Sequence, residues 1–72
     1  SPIKLSASLN RLSYDVPGQA SLTLYSADGR RILQETIKGE GIWEAPKLPS
    51  GVYFARVEGE ASSMTQKVVL IR

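Results

Sequence analysis

Apolar and polar residues alternate with a period of two along much of the chain. Leu12, Tyr14 and Val16 alternate with Ser13 and Asp15, and Ala20, Leu22 and Leu24 with Ser21 and Thr23. Successive side chains of an extended strand point to opposite faces, so both segments predict strands with one dry and one wet face. The clearest strand runs from Gly51 to Glu58, with Tyr53, Ala55 and Val57 on one face and Phe54, Arg56 and Glu58 on the other. Residues 63–71 form a last strand. Its end, Val68-Val69-Leu70-Ile71, is apolar without alternation, which predicts burial on both faces or packing against a neighbour.

Turn-forming residues separate these segments at intervals of roughly 8–12 residues, the spacing of an all-β sandwich or barrel. They are Pro17-Gly18, Asp28-Gly29, Gly39 and Gly41, Pro46, Pro49 through Gly51, and Gly59 within the polar turn 58–62. Asp28-Gly29, followed by Arg30, suits a type I′ hairpin joining residues 20–26 to residues 31–37, because that turn needs positive φ at both central positions. In residues 30–38 the apolar Ile32, Leu33 and Ile37 fit a short helix as well as a strand. The hairpin turn ahead of them favours a strand. With Ile3 to Ser6 at the start and a short piece around Ile42 and Trp43, about seven short antiparallel strands result, which predicts an immunoglobulin-like sandwich. In such a fold Tyr53, at the start of the penultimate strand and just after Pro49-Ser50-Gly51, sits where a tyrosine hydroxyl ties down the corner backbone.

Composition narrows the chemistry more than the fold. The chain has 72 residues with neither cysteine nor histidine. Disulfides, zinc ribbons, thiol catalysis and Ser-His-Asp triads all need residue types that it lacks. No metal or cofactor is expected. A domain of this size buries only about 60% of the surface of its unfolded chain, so residues 1–72 make at most one small domain. No apolar run approaches the ~20 residues of a spanning helix. The start, Ser1-Pro2-Ile3-Lys4, has no signal-peptide pattern, which fits a domain taken from a longer protein. Nine basic against seven acidic residues leave a net charge of +2, too little to point to nucleic acid.

Two clusters offer chemistry. Glu40, Glu44, Glu58 and Glu60 invite a carboxylate pair or a calcium site, but they fall on turns and strand ends without the Asp/Asn/Gly pattern of a calcium loop. Trp43, Tyr25 and Phe54 could build a flat platform for stacking sugars, which makes a carbohydrate-binding module, or a plain structural or adhesion module, the alternative function. A single Trp and a single Phe in a small domain more commonly serve the core. No pair of Ser, Lys and Glu has a catalytic spacing, so an enzyme is not expected.

The segment from Asp15 to Arg30, with Leu22-Thr23-Leu24-Tyr25-Ser26-Ala27-Asp28-Gly29-Arg30 at its heart, resembles the middle motif of the C-terminal sorting domains of the type IX (Por) secretion system of Bacteroidetes and Fibrobacter. Leu48-Pro49-Ser50-Gly51-Val52-Tyr53 and the alternating residues after it are similar to the next motif. Thr65-Gln66-Lys67-Val68-Val69-Leu70-Ile71-Arg72 is similar to the terminal one. The resemblance covers residues 11–72; the Pro-Asn-Pro motif that usually opens the family is replaced by Leu5-Ser6-Ala7-Ser8-Leu9-Asn10. It implies a folded export signal, carried behind a cargo domain, read by an outer-membrane translocon, and then removed or used for surface anchoring by a sortase-like component. The carrier would pass through the periplasm to the cell surface or medium. Gly51, Val52, Tyr53, Lys67, Val68, Val69, Leu70, Ile71 and Arg72 are the recognition residues implied, with Lys67 and Arg72 foremost, while Asp28, Gly29, Arg30 and Tyr53 serve as structural motif. Val68, Val69 and Leu70 also suit an ordinary core strand.

Overall fold

A 16-residue strand, β2 (Arg11–Ser26), runs through the centre of the computed structural model. Fully extended at ~3.3 Å per residue it would reach about 50 Å. The longest dimension of the molecule is 33 Å, so this strand has to fold back on itself. It does so at Pro17-Gly18. The structure describes residues 3–60 and 62–71.

Four further strands complete a single antiparallel sheet: β1 (Lys4–Ser8), β3 (Arg31–Glu44), β4 (Gly51–Glu58) and β5 (Ser63–Leu70). β3 follows β2 along one side for its whole length. The other side of β2 takes β1 on residues 11–15 and β4 on residues 21–26, and β5 adds to β4. Folding of the β2–β3 ribbon curls the sheet into a half-barrel. Its inner face carries the core: Leu12, Val16, Ala20, Leu22 and Leu24 of β2, Ile37 and Trp43 of β3, Tyr53, Ala55 and Val57 of β4, Val68 and Leu70 of β5, with Ile3 ahead of β1.

The seven-strand sandwich expected from the turn signals is therefore corrected to five strands in one curled sheet. Two signals sit inside strands. The ladder between β2 and β3 steps from Asp15↔Glu40 to Gln19↔Lys38, so Val16, Pro17 and Gly18 bulge opposite Gly39. A bulge leaves backbone groups unpaired, and there proline loses nothing by lacking an N–H. Gly18, at φ +76°, takes a left-handed conformation that a side chain resists. The same step carries β3 across Gly39, merging the two pieces read separately as 31–37 and 41–45. Residues 30–38 are strand rather than helix. A second register shift, from Leu24↔Leu33 to Tyr25↔Arg31, bulges Ile32 outward and accounts for its adjacency to Leu33.

Fold-back also sets two parts of β3 face to face. The buried Trp43 donates its indole N–H to the carboxylate of Glu35, eight residues earlier on the same strand. Tyr14 lies across Gly41, where an added Cβ would meet its hydroxyl at 2.7 Å. The β4–β5 turn, in which Ala61 lies outside the described residues, is closed by the Gly59 amide donating to the Ser62 carbonyl at 2.8 Å.

The space around a Cβ at Gly18 is open, so the cost of a side chain there is conformational alone. Gly18→Ala is expected to destabilise the fold by about 1–2 kcal/mol in urea denaturation. D-alanine at the same position, introduced by chemical synthesis, should remove that loss; an equal loss for both enantiomers would contradict the fold-back geometry.

Candidate recognition surface

The described residues of the implied recognition set lie on β4, on β5 and, for Ile71, just past β5, but not on one face. In the β4–β5 ladder Val52 faces Val69, Tyr53 faces Val68, Phe54 faces Lys67, and Gly51 faces Leu70. Strand alternation then divides the set. Tyr53, Val68 and Leu70 point inward and are buried, whereas Val52, Lys67 and Val69 point outward. Gly51 and Ile71 are exposed, and Arg72 lies outside the described residues. Of the two expectations for Val68 to Ile71, burial on both faces is thus corrected, since Val69 is 40% and Ile71 54% exposed, and packing of the outward residues against a neighbour is the one that the exposure leaves. β5 is the last strand of a single sheet, and among the described residues no second layer packs on its outer face.

Outward side chains form two rows. Tyr25, Phe54 and Lys67 stand opposite one another across β2, β4 and β5, and Val52 pairs with Val69 beside them. Directly opposed side chains lie within ~4.5–5.5 Å at Cβ, close enough to make one continuous patch. Farther along β4 an exposed ion pair joins the next two rows, Arg56 Nε to Glu58 Oε1 at 3.3 Å. Tyr25 and Phe54 were not singled out for this role, although the alternation that placed Tyr53 inside already placed Phe54 outside.

β5 also presents an edge. The Val69 carbonyl accepts a hydrogen bond from the Asn10 amide at 3.3 Å, on the side away from β4. In an antiparallel ladder every second residue turns its N–H and C=O the same way, so Thr65 and Lys67 present theirs along this side too. β1 lies alongside without laddering to β5.

Tyr53 fills the corner role foreseen for it, though the fold is not a sandwich. Its hydroxyl donates to the Pro49 carbonyl at 2.7 Å, anchoring the entry into β4. Asp28, Gly29 and Arg30 close the β2–β3 hairpin, in a geometry other than type I′. Gly29 has φ +91° while Asp28 is not at positive φ, and the Gly29 amide donates to the Ser26 carbonyl at 3.0 Å. The loop is therefore the three-residue kind that needs one left-handed position. Asp28 accepts from the Ser26 hydroxyl and, at 3.4 Å, from the Arg30 amide. These bonds, the Ser26 one foremost, hold its carboxyl below the ordinary value.

The aromatic platform is not assembled. Trp43 is inside, bonded to Glu35, whereas Tyr25 and Phe54 lie on the outer face. Of the carboxylates, Glu44 pairs with Arg11 at 3.6 Å and Glu58 with Arg56. Among the described residues no three acidic side chains group as metal ligands, and no helix is long and apolar enough to cross a membrane. What the surface offers is an apolar and aromatic row ending in a lysine, beside an open strand edge.

Comparison with known proteins agrees with this non-catalytic surface. A family model described as a secretion system C-terminal sorting domain matches residues 3–71. No curated protein sequence matches the chain.

Tyr53→Phe is expected to cost about 1 kcal/mol in chemical denaturation, the net worth of one hydrogen bond. For Asp28, the depressed value means that its bonds favour the folded hairpin above the ordinary carboxylate pKa and lose that effect as pH falls through the folded value. A carboxyl NMR titration should give a midpoint below that of an unstructured Asp, moving up in Ser26→Ala; an unshifted midpoint in the parent chain would refute the turn geometry.

Proposed function

We propose, from the premise that the chain belongs to the C-terminal sorting domains of the type IX (Por) secretion system, that the secretion machinery reads the outer face and free edge of β5. A domain of this family is a non-catalytic signal. It is recognised by secretion machinery and marks a secreted or cell-surface protein. In the reading proposed, residues 1–72 are one domain behind a cargo. The cargo crosses the periplasm, the terminal strand engages an outer-membrane translocon component, and a sortase-like component then removes the domain or uses it for anchoring.

The observation that carries this reading is the position of β5, a terminal strand with its outer side-chain face exposed and its far edge outside any ladder, met there by the bonds from Asn10. A partner strand added along that edge would gain affinity from backbone hydrogen bonds and specificity from alternate side chains. Val52, Lys67 and Val69, with Phe54 beside them, supply the side-chain contacts. Ile71 follows the strand directly, and Lys67 supplies positive charge on its outward face; the role of Arg72 is taken from the family motif alone. Tyr53, Val68 and Leu70 hold the strand pair in shape from within, and Gly51 pairs with Leu70 at its end.

Fold and signal separate by face. Lys67→Glu combined with Val69→Glu changes only outward positions, where substitutions shift stability by about 0.5 kcal/mol or less. In cells that carry the secretion system, cargo fused to this variant should accumulate in the periplasm while the thermal midpoint of the domain is unchanged. Export at the parent rate would overturn the proposal.

A further inference from the structure

Asn10 occupies the two-residue turn between β1 and β2 at φ +60°, and it is the one residue other than glycine with positive φ among those described. Its side chain makes two bonds to a single residue 61 positions later. Nδ2 donates to the Ile71 carbonyl at 2.9 Å, and Oδ1 accepts from the Ile71 amide at 2.8 Å. The Asn10 backbone N–H adds the bond to the Val69 carbonyl, and its carbonyl accepts from the Ala45 amide at 3.0 Å. A carboxamide carries the same donor and acceptor pair as a peptide group. Asn10 therefore sits on the end of β5 as one residue of a neighbouring strand would, and it uses the edge groups of Val69 and Ile71 that an added strand would need.

Resting on the proposed reading of β5 as the recognised strand, we infer that Asn10 is a clasp which caps the end of that strand and must release it before a partner strand can pair there. Edge strands left open invite unwanted pairing, and a side chain that satisfies the edge suppresses it. The clasp would keep the signal closed on the free domain and open it by exchange of the Asn10 amide for the partner's backbone. The bonds are few and on the surface, so the exchange is within reach of a partner that brings a full row of backbone groups. Ile71, 54% exposed, borders a surface hollow of about 460 Å³ with Pro46 and Leu48, which leaves an approach from outside.

Asn10→Gly removes the side chain and keeps the positive φ without strain. By hydrogen exchange on the labelled 72-residue chain, the Ile71 amide should exchange about five- to tenfold faster in Asn10→Gly, with the amides of Leu22 and Val57 unchanged. Asn10→Asp, which retains the acceptor for the Ile71 amide, should fall between. Unaltered exchange at Ile71 would overturn the clasp whatever the route of secretion. In cells, cargo carrying Asn10→Gly should leave the periplasm faster than the parent, an outcome that a merely structural role would not produce, and parent-rate export would overturn the gating. Slower export, with Lys67→Glu/Val69→Glu also arrested, would overturn the gating while leaving the recognition of β5 in place. Parent-rate export of Lys67→Glu/Val69→Glu would remove the reading on which the gating rests.

Discussion

The fold-back of the β2–β3 ribbon is the constraint on which the rest of the structure depends. A flat antiparallel ribbon of this length has two solvent-facing sides and cannot bury Leu12, Leu22 and Leu24 together. Bent at Pro17-Gly18 and Gly39, it turns one face inward and brings Trp43 against Glu35. The same bend carries the Asn10 turn, at one end of β2, to the end of β5, which pairs through β4 with the other end of β2. Closure of the half-barrel along β1 and β5 is thus a consequence of one bulge.

That curvature explains why a chain without disulfides forms a defined domain and why its surface is divided as it is. The buried apolar side chains of the strands lie on one face of a continuous sheet, to which the strands contribute alternate residues, while Thr23 is buried on the other. The outer face is left with Tyr25, Val52, Phe54, Lys67 and Val69, an apolar and basic patch concentrated on the last two strands. With no histidine or cysteine the chain has little reactive chemistry to offer. In the proposed reading its specificity comes from the shape and edge of the sheet, which suits a signal that is bound rather than a site that reacts.

Much of this is legible in the sequence because local rules govern it. Alternation places Tyr53, Ala55 and Val57 inside and Phe54 and Arg56 outside, and the Pro49 to Tyr53 corner carries its own hydrogen bond. Strand number is less legible. Pro17-Gly18 and Gly39 look like turns, since the signal for a bulge is the same pair of residue types, and only the continuous ladder on the partner strand distinguishes them. Val68 to Ile71 reads as doubly buried or packed on a neighbour because an apolar run carries no mark of which strand ends the sheet. Asn10 is invisible to local reasoning, as its partner is 61 residues away, although an Asn in a two-residue turn is a common sign of a left-handed position. Motif resemblance along residues 11–72 points to the sorting family, where the chemistry of individual residues does not.

The fold-back is tested most directly by nuclear Overhauser spectroscopy on the 72-residue chain. The folded ribbon predicts a cross-peak between the Trp43 indole N–H and the Glu35 side chain, together with one between the Ile71 amide and the Asn10 carboxamide protons. In an unbent β3 the first pair would stand about 26 Å apart, at ~3.3 Å for each of the eight residues between them. Absence of both cross-peaks from a chain whose β2–β3 ladder is intact would contradict the account.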